Sequence, residues 1–146
     1  MIREAVLEDI NKNLLNCYIE AFQYHYENRK DNFKELTNEE LKESLIKDIN
    51  ENKLFVYDEN NQITGYILTE IKEKKQKVLW ISQLGVDSNF QGRGIAKKLM
   101  AYTEAYAQKQ HCQKVELCCW SFNKKAASIY KHLDYNEQRI IFEKNI

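Results

Sequence analysis

The stretch V-L-W-I-S-Q-L-G-V-D-S-N-F-Q-G-R-G-I-A-K-K-L-M, from Val78 to Met100, decides the fold. Val78–Val86 is apolar at most positions and ends at the polar bend Asp87-Ser88-Asn89, the pattern of a buried strand. Gly92 and Gly94 follow. Ala96, Leu99, Met100, Thr103 and Ala107 then share one helical face, with Lys97, Lys98, Glu104 and Lys109 turned away from it. A strand that passes through a glycine-bearing loop into a helix gathers unpartnered backbone N–H groups and the positive end of the helix dipole at one point. Such a junction is built to hold phosphate.

Upstream, Leu54–Tyr57 and Ile63–Ile71 read as strands on either side of the turn D-E-N-N, and the charged run Lys72–Lys77 reads as a solvated hairpin end. Three successive strands on short turns predict an antiparallel sheet. Gly65, inside the second run, marks a bulge or a close backbone approach. Nearer the start, Ile2–Val6 fits a first strand. From Asp9 onward, Ile10, Leu14, Leu15, Tyr18 and Phe22 recur at helical spacing. Tyr24, His25 and Tyr26 are then either a helix end packed on the core or the wall of a substrate pocket. Thr37 with Glu40 has the form of a capping box, with Leu36 and Leu41 as its hydrophobic staple. The stripe Leu41, Leu45, Ile46 and Ile49 carries that helix to Asn50–Asn52.

Downstream, Val115–Trp120 reads as a strand running parallel to Val78–Val86, because a helix separates the two. Asn123 suits an N-cap for a short helix through His132. Tyr135–Glu143 is expected to return as one or two strands, whose edge could pair with a second copy to give a homodimer. No repeat or linker divides the chain, so residues 1–146 are read as one domain.

Bulk composition narrows the function. Lys plus Arg balances Asp plus Glu at 22 each, a neutrality that argues against nucleic acid or an anionic membrane as partner. No apolar run approaches the roughly 20 residues of a membrane span, and M-I-R-E-A-V lacks a signal pattern. Cys17, Cys112, Cys118 and Cys119 form neither a disulfide framework nor a metal pair, and His25, His111 and His132 are scattered. The expectation is therefore reduced thiols, no metal, and a cytoplasmic location.

Three kinds of phosphate loop compete for Gln91–Lys97. A Walker loop, Gly-x-x-x-x-Gly-Lys-Ser/Thr, fails because Ile95 and Ala96 follow Gly94. A dinucleotide loop needs a third glycine where Lys97 stands, and needs it after the first strand. The pattern Gln-x-x-Gly-x-Gly/Ala fits at every position. A second motif, W-S-F-N-K-K-A-A-S-I-Y-K-H-L-D-Y, sets Asn123 and Tyr130 on one face of a helix. With both motifs the chain resembles the GNAT superfamily of N-acetyltransferases over essentially its whole length. The departures are Asp134, where that family usually has glycine, and Ala96 in place of a final glycine.

The resemblance implies an α+β (α/β) fold, a mixed, mostly antiparallel sheet of about six to seven strands flanked by about four helices. It implies acetyl-CoA as cosubstrate and direct transfer to a primary amine in a ternary complex. The pyrophosphate would lie against Gln91, Gly92, Arg93, Gly94, Ile95, Ala96 and Lys97, with Arg93 either a phosphate contact or a solvated cation. Main-chain groups of Leu84, Gly85 and Val86 would pair with the pantetheine arm, and the Val86 N–H would face the thioester oxygen. Asn123, beside Ala126 and Ala127, would hydrogen-bond the pantetheine, act as an N-cap, or both. Tyr130 would protonate the departing thiolate, its alternative being simple packing.

A base for the amine is left unassigned among Glu116, Glu70, His25 and Glu20. Gln83 and Cys118, at the central strand positions, are poor bases. Cys118 and Cys119 are expected on opposite faces of their strand, which argues against a covalent cysteine route. The alternative function is a non-catalytic acyl-CoA-binding sensor on the same scaffold.

Overall fold

A computed structural model describes residues 1–146. Five strands pair in chain order: β1 (Ile2–Glu4), β2 (Lys53–Glu59), β3 (Gln62–Glu73), β4 (Lys77–Val86) and β5 (Lys114–Leu117). All neighbours are antiparallel except β4 and β5, which are parallel across a helical crossover. Four α-helices complete the fold: α1 (Leu14–Asn28), α2 (Asn38–Glu51), α3 (Ile95–Lys109) and α4 (Lys124–His132). No helix is long and apolar enough to cross a membrane.

The period-2 alternation of each strand divides the core. Leu54, Val56, Tyr66 and Leu68 turn to one face, where they meet Leu14, Cys17 and Tyr18 of α1 and Leu41 and Leu45 of α2. Phe55, Ile67, Leu79 and Ile81 turn to the other, against Ile95, Leu99, Met100 and Ala107 of α3. Local chemistry sets several ends. Asn60 and Asn61, both at positive φ, make the two-residue hairpin between β2 and β3. The Thr37 hydroxyl accepts from the Glu40 N–H at 3.1 Å and so caps α2. Asn13, at φ 83°, separates a short 3-10 turn (Leu7–Lys12) from α1, so the helical run expected from Asp9 is broken there.

Two irregularities shape the region of interest. Pairing of β3 with β4 slips between Leu68 and Thr69, which face Gln83 and Ile81, so Ser82 is an extra residue. Upstream of it Leu79 and Ile81 face α3; downstream Leu84 and Val86 do, and Gln83 and Gly85 turn toward α1. The second irregularity, between Tyr57 and Asp58, leaves Thr64 extra on β3 beside Gly65. A Cβ added at Gly65 would stand 2.9 Å from Ile95 Cγ2, so that glycine lets the start of α3 press on the sheet.

The sheet is shorter than expected. The tail from Tyr135 onward adds no strand, giving five strands instead of six to seven. Side chains hold the tail in place of a ladder: Gln138 donates to Glu116, and Glu143 pairs with Arg29 at 3.1 Å. Ile140, Ile141 and Phe142 remain exposed. The strand expected over Val115–Trp120 ends at Leu117, so Cys118 and Cys119 lie beyond it and are both exposed. Their expected placement on opposite faces of a strand therefore does not hold.

Gly85 gives the sharpest test of this packing. A Cβ there would stand 2.6 Å from Tyr66 Cε1 and 3.3 Å from Ala21 Cβ, and Tyr66 is fully buried. Gly85→Ala is expected to lower stability by about 2 kcal/mol, as overpacking of a rigid core does. A urea midpoint unchanged from wild type would contradict it.

Candidate active site

The site is built from the end of β4 outward. Asp87 N–H donates to Thr64 C=O at 2.9 Å, and Val86 faces Gly65 in the same register. Antiparallel pairs alternate between hydrogen-bonded and non-hydrogen-bonded, so Leu84 and Val86 turn their N–H and C=O groups away from β3. They point to the side where β5 would lie. There β4 pairs with β5 only from Val78 to Ile81. Beyond that the strands part and the main chain of β4 has an open edge, where the Gln91 side-chain amide donates to Val86 C=O at 3.3 Å.

The chain leaves β4 through a tightly held bend. Asp87, buried, accepts from Asn89 N–H at 2.8 Å and from Asn13 Nδ2 at 2.6 Å. Ser88 donates from its N–H to a Glu20 carboxylate oxygen at 3.0 Å. This ties the bend to both ends of the first half of α1. Neither Asn13 nor Glu20 stands out in the sequence as a partner of this loop; only the fold makes them neighbours.

Gly92 and Gly94 adopt φ of 80° and 77°, the left-handed region that disfavours a side chain. A Cβ on either would meet nothing within 4 Å, so the space above the loop is open. The first intrahelical bond of α3 runs from Lys98 N–H to Gly94 C=O at 3.0 Å. The N–H groups of Ile95, Ala96 and Lys97 therefore have no helical partner. Ile95 itself is buried, so it offers the loop its N–H and the core its side chain. Arg93 lies over the Phe90 ring at 4.9 Å and reaches Glu59 at 3.9 Å, with a half-exposed side chain.

The second motif comes to the same place. Asn123 Oδ1 accepts from Ala126 N–H at 3.3 Å and caps α4, placing Ala126 and Ala127 in its first turn. Lys125 Nζ reaches Gln91 Oε1 at 3.0 Å, closing α4 onto the glycine loop. Tyr130 packs against the same core as Leu84 and Val86. Burial, helped by the nearby Cys119 thiol, pushes its phenol from 10 up to about 12. It is therefore protonated throughout the neutral range. Asp134 takes φ 66° just past α4, a conformation that Asp tolerates where glycine is the simpler choice.

The remaining candidates separate. Gln83 Oε1 accepts from the buried Tyr66 hydroxyl at 2.9 Å, a structural bond. Glu70 faces Trp80, in the stretch of sheet still paired with β5, and its neighbour is Lys72 at 3.7 Å. Glu116 is also in that paired stretch. His25 is one helical turn past Ala21, in contact with Tyr24, Phe33 and Phe122.

These features define a class: an α+β scaffold with a helix start whose N–H groups are unpartnered, beside an open strand edge. Residues 11–135 match the model of the acetyltransferase (GNAT) family, and the chain belongs to that family. It is 27% identical over 148 residues to an uncharacterized N-acetyltransferase of Methanocaldococcus jannaschii. That alignment covers 96% of this chain and 62% of the relative, so the chain spans only about six-tenths of that protein's length. Over 82 residues it is 29% identical to an L-2,4-diaminobutyric acid acetyltransferase of Halalkalibacterium halodurans, covering 55% of this chain and 43% of the relative. Among solved structures, a Bacillus halodurans protein determined as a tetramutant superposes with TM-score 0.86 at 20% identity, covering 100% of this chain and 99% of that one. The likeness to that structure is one of fold.

If the loop holds a pyrophosphate, an anion placed on it must exclude the ligand. Gly94→Glu is expected to abolish acetyl-CoA binding by calorimetry while the protein stays folded. Normal affinity in that variant would refute the assignment of the loop.

Proposed function

We propose that this chain transfers the acetyl group of acetyl-CoA to a primary amine, by direct attack within a ternary complex. The open main-chain edge of β4 beside an unpartnered helix start carries the proposal. It sets a row of free main-chain hydrogen-bonding groups beside a cluster of free helix N–H groups, which a pantetheine arm and its pyrophosphate would complement.

Acetyl-CoA, when bound, supplies an activated thioester. The chain's own groups then divide the work. Amides of Gly92 to Lys97, ending in Ile95, Ala96 and Lys97, hold the pyrophosphate, with Gln91 fixed between Val86 and Lys125 beside them. Leu84 and Val86 offer main-chain hydrogen bonds to the arm. The Val86 N–H is a fixed donor for the carbonyl oxygen as negative charge grows there, an interaction that strengthens in the transition state. Asn123 keeps its amide N–H₂ free for the arm while its oxygen caps α4. Tyr130 gives its proton to the leaving sulfur, which a phenol pushed up to about 12 can do at any physiological pH.

A primary amine is the acceptor class that family membership supports, and the partial relative named for L-2,4-diaminobutyric acid agrees with it. A homodimer, if formed, has the outer edge of β5 and the exposed Ile140–Phe142 segment to use. The competing function, a binding module without catalysis, draws on one observation: no carboxylate stands on the open end of β4, where Gln83 is committed to Tyr66.

Tyr130→Phe separates the two. As loss of a general acid, it is expected to lower kcat by about 100-fold or more with little change in acetyl-CoA affinity. The wild-type acid limb should owe nothing to this phenol. Thiol release measured against an amine panel reads the outcome. Acetyl-CoA binding with no turnover on any amine, and no effect of the substitution, would establish the binding module instead.

A further inference from the structure

We propose that His25 is the base that accepts the proton of the acceptor ammonium. This rests on the acetyl-transfer function above and supplies its missing group. The first observation is the tautomer. His25 Nδ1 stands 2.8 Å from the Ala21 carbonyl oxygen, which can only accept. The proton of the neutral imidazole therefore resides on Nδ1, and Nε2 carries an in-plane lone pair. No side chain or backbone group hydrogen-bonds that nitrogen.

The second observation is position. Ala21 packs over Gly85, the residue before Val86. His25, one turn further along α1, contacts Phe122, which follows β5, and Phe33, which in turn contacts Trp120. The imidazole thus lies one turn of α1 beyond the residue that packs over Gly85, against Phe122 of the segment that follows β5. Tyr24, Phe33 and Phe122 meet it edge to face and fix its plane.

The third observation is that the carboxylates are committed. Both Glu20 oxygens serve Ser88, at 3.0 Å to its N–H and 3.4 Å to its hydroxyl. Glu116 accepts from Gln138 and neighbours Lys114 at 3.8 Å. Glu70 is in the paired part of the sheet. The charged groups around His25 cancel in part: Arg29, one turn on in α1, is bound by Asp31 of the next loop at 2.9 Å and by Glu143 of the tail at 3.1 Å. The segment after β5 faces His25 with the uncharged ring of Phe122, and α1 adds the Tyr24 phenol.

The proton balance closes. An N–H bond of the ammonium breaks toward Nε2, giving an imidazolium and a free amine lone pair. That pair forms the N–C bond as the C–S bond breaks, and sulfur leaves with its electrons and takes the Tyr130 proton. The new amide nitrogen sheds a second proton, which restores the phenol, and the imidazolium returns its own proton to solvent. One ammonium and one thioester yield one amide, one thiol and one proton.

His25→Asn is the decisive variant, because a shorter amide in this helix already makes the same backbone contact: Asn28 Nδ2 donates to Tyr24 C=O at 2.8 Å. The variant keeps that anchor and removes Nε2. Its kcat/KM is expected to fall by about 100-fold or more, with acetyl-CoA affinity unchanged. The acid limb of the wild-type rate profile should disappear. Added imidazole should restore part of the rate in His25→Ala. Nitrogen-15 spectra of the protein without ligand should show the proton on Nδ1. An Nε2-protonated ring, or a His25→Asn enzyme within threefold of wild type with its acid limb intact, overturns the assignment while acetyl transfer stands. A wild-type protein that binds acetyl-CoA and acetylates no amine removes both.

Discussion

One extra residue in β4 governs the geometry of the site. If Ser82 took a regular place in the alternation, Gly85 would face α3 while Leu84 and Val86 faced α1. Because it bulges out of the ladder instead, the order is reversed from Gln83 onward. Gly85 then lies under the ring of Tyr66, where no Cβ fits, and Leu84 and Val86 anchor on the core beneath α3. The ladder to β5 stops at Ile81, just before this bulge. A bulge twists and bends its strand, so the two parallel strands part at that point. Their separation leaves backbone donors and acceptors facing open space. Backbone groups are left open in this way where water or a ligand can satisfy them.

The elements around this edge hold one another in place. Gly65 lets Ile95 sit directly on the sheet, so the start of α3, with its unpartnered N–H groups, is fixed relative to the end of β4. Lys125 and Gln91 tie α4 to the glycine loop, and Asn123 caps α4 at the same end. Asp87 and Glu20 bind the bend to α1. Glycine loop, strand edge and phenol are thereby supported by three different helices on one sheet. Such support fixes donors before the ligand arrives, the condition under which a backbone N–H contributes most to a transition state.

Much of this was legible from local chemistry. Val78–Met100 declared strand, loop and helix because apolar spacing and paired glycines act over short range. Thr37 and Asn123 announced helix starts through their side-chain oxygens, and the turn D-E-N-N announced a hairpin, whose two-residue tip at Asn60-Asn61 the fold then set. The Gln91–Ala96 loop and the Asn123–Tyr130 spacing pointed to one family. The strand expected over Val115–Trp120 was cut short at Leu117, and the tail made no strand. Apolar content alone does not supply a hydrogen-bonding neighbour, and a ladder needs one. The break at Asn13 was also hidden, since its left-handed backbone rests on bonds to Ile63 C=O and Asp87.

The sequence by itself determined which residues could serve: a loop of small residues before a helix, a phenol seven positions past an N-capping asparagine, a sheet of mostly antiparallel strands. Those properties belong to neighbours in the chain, and a few kcal/mol of local preference is enough to set them. Only the tertiary structure decided which groups are free. It committed Gln83 to Tyr66 and Glu20 to Ser88, turned the Val86 N–H to the open edge, and left Nε2 of His25 without a partner. Commitment of a polar group depends on residues distant in sequence that packing brings within hydrogen-bond reach, and no local pattern encodes that distance.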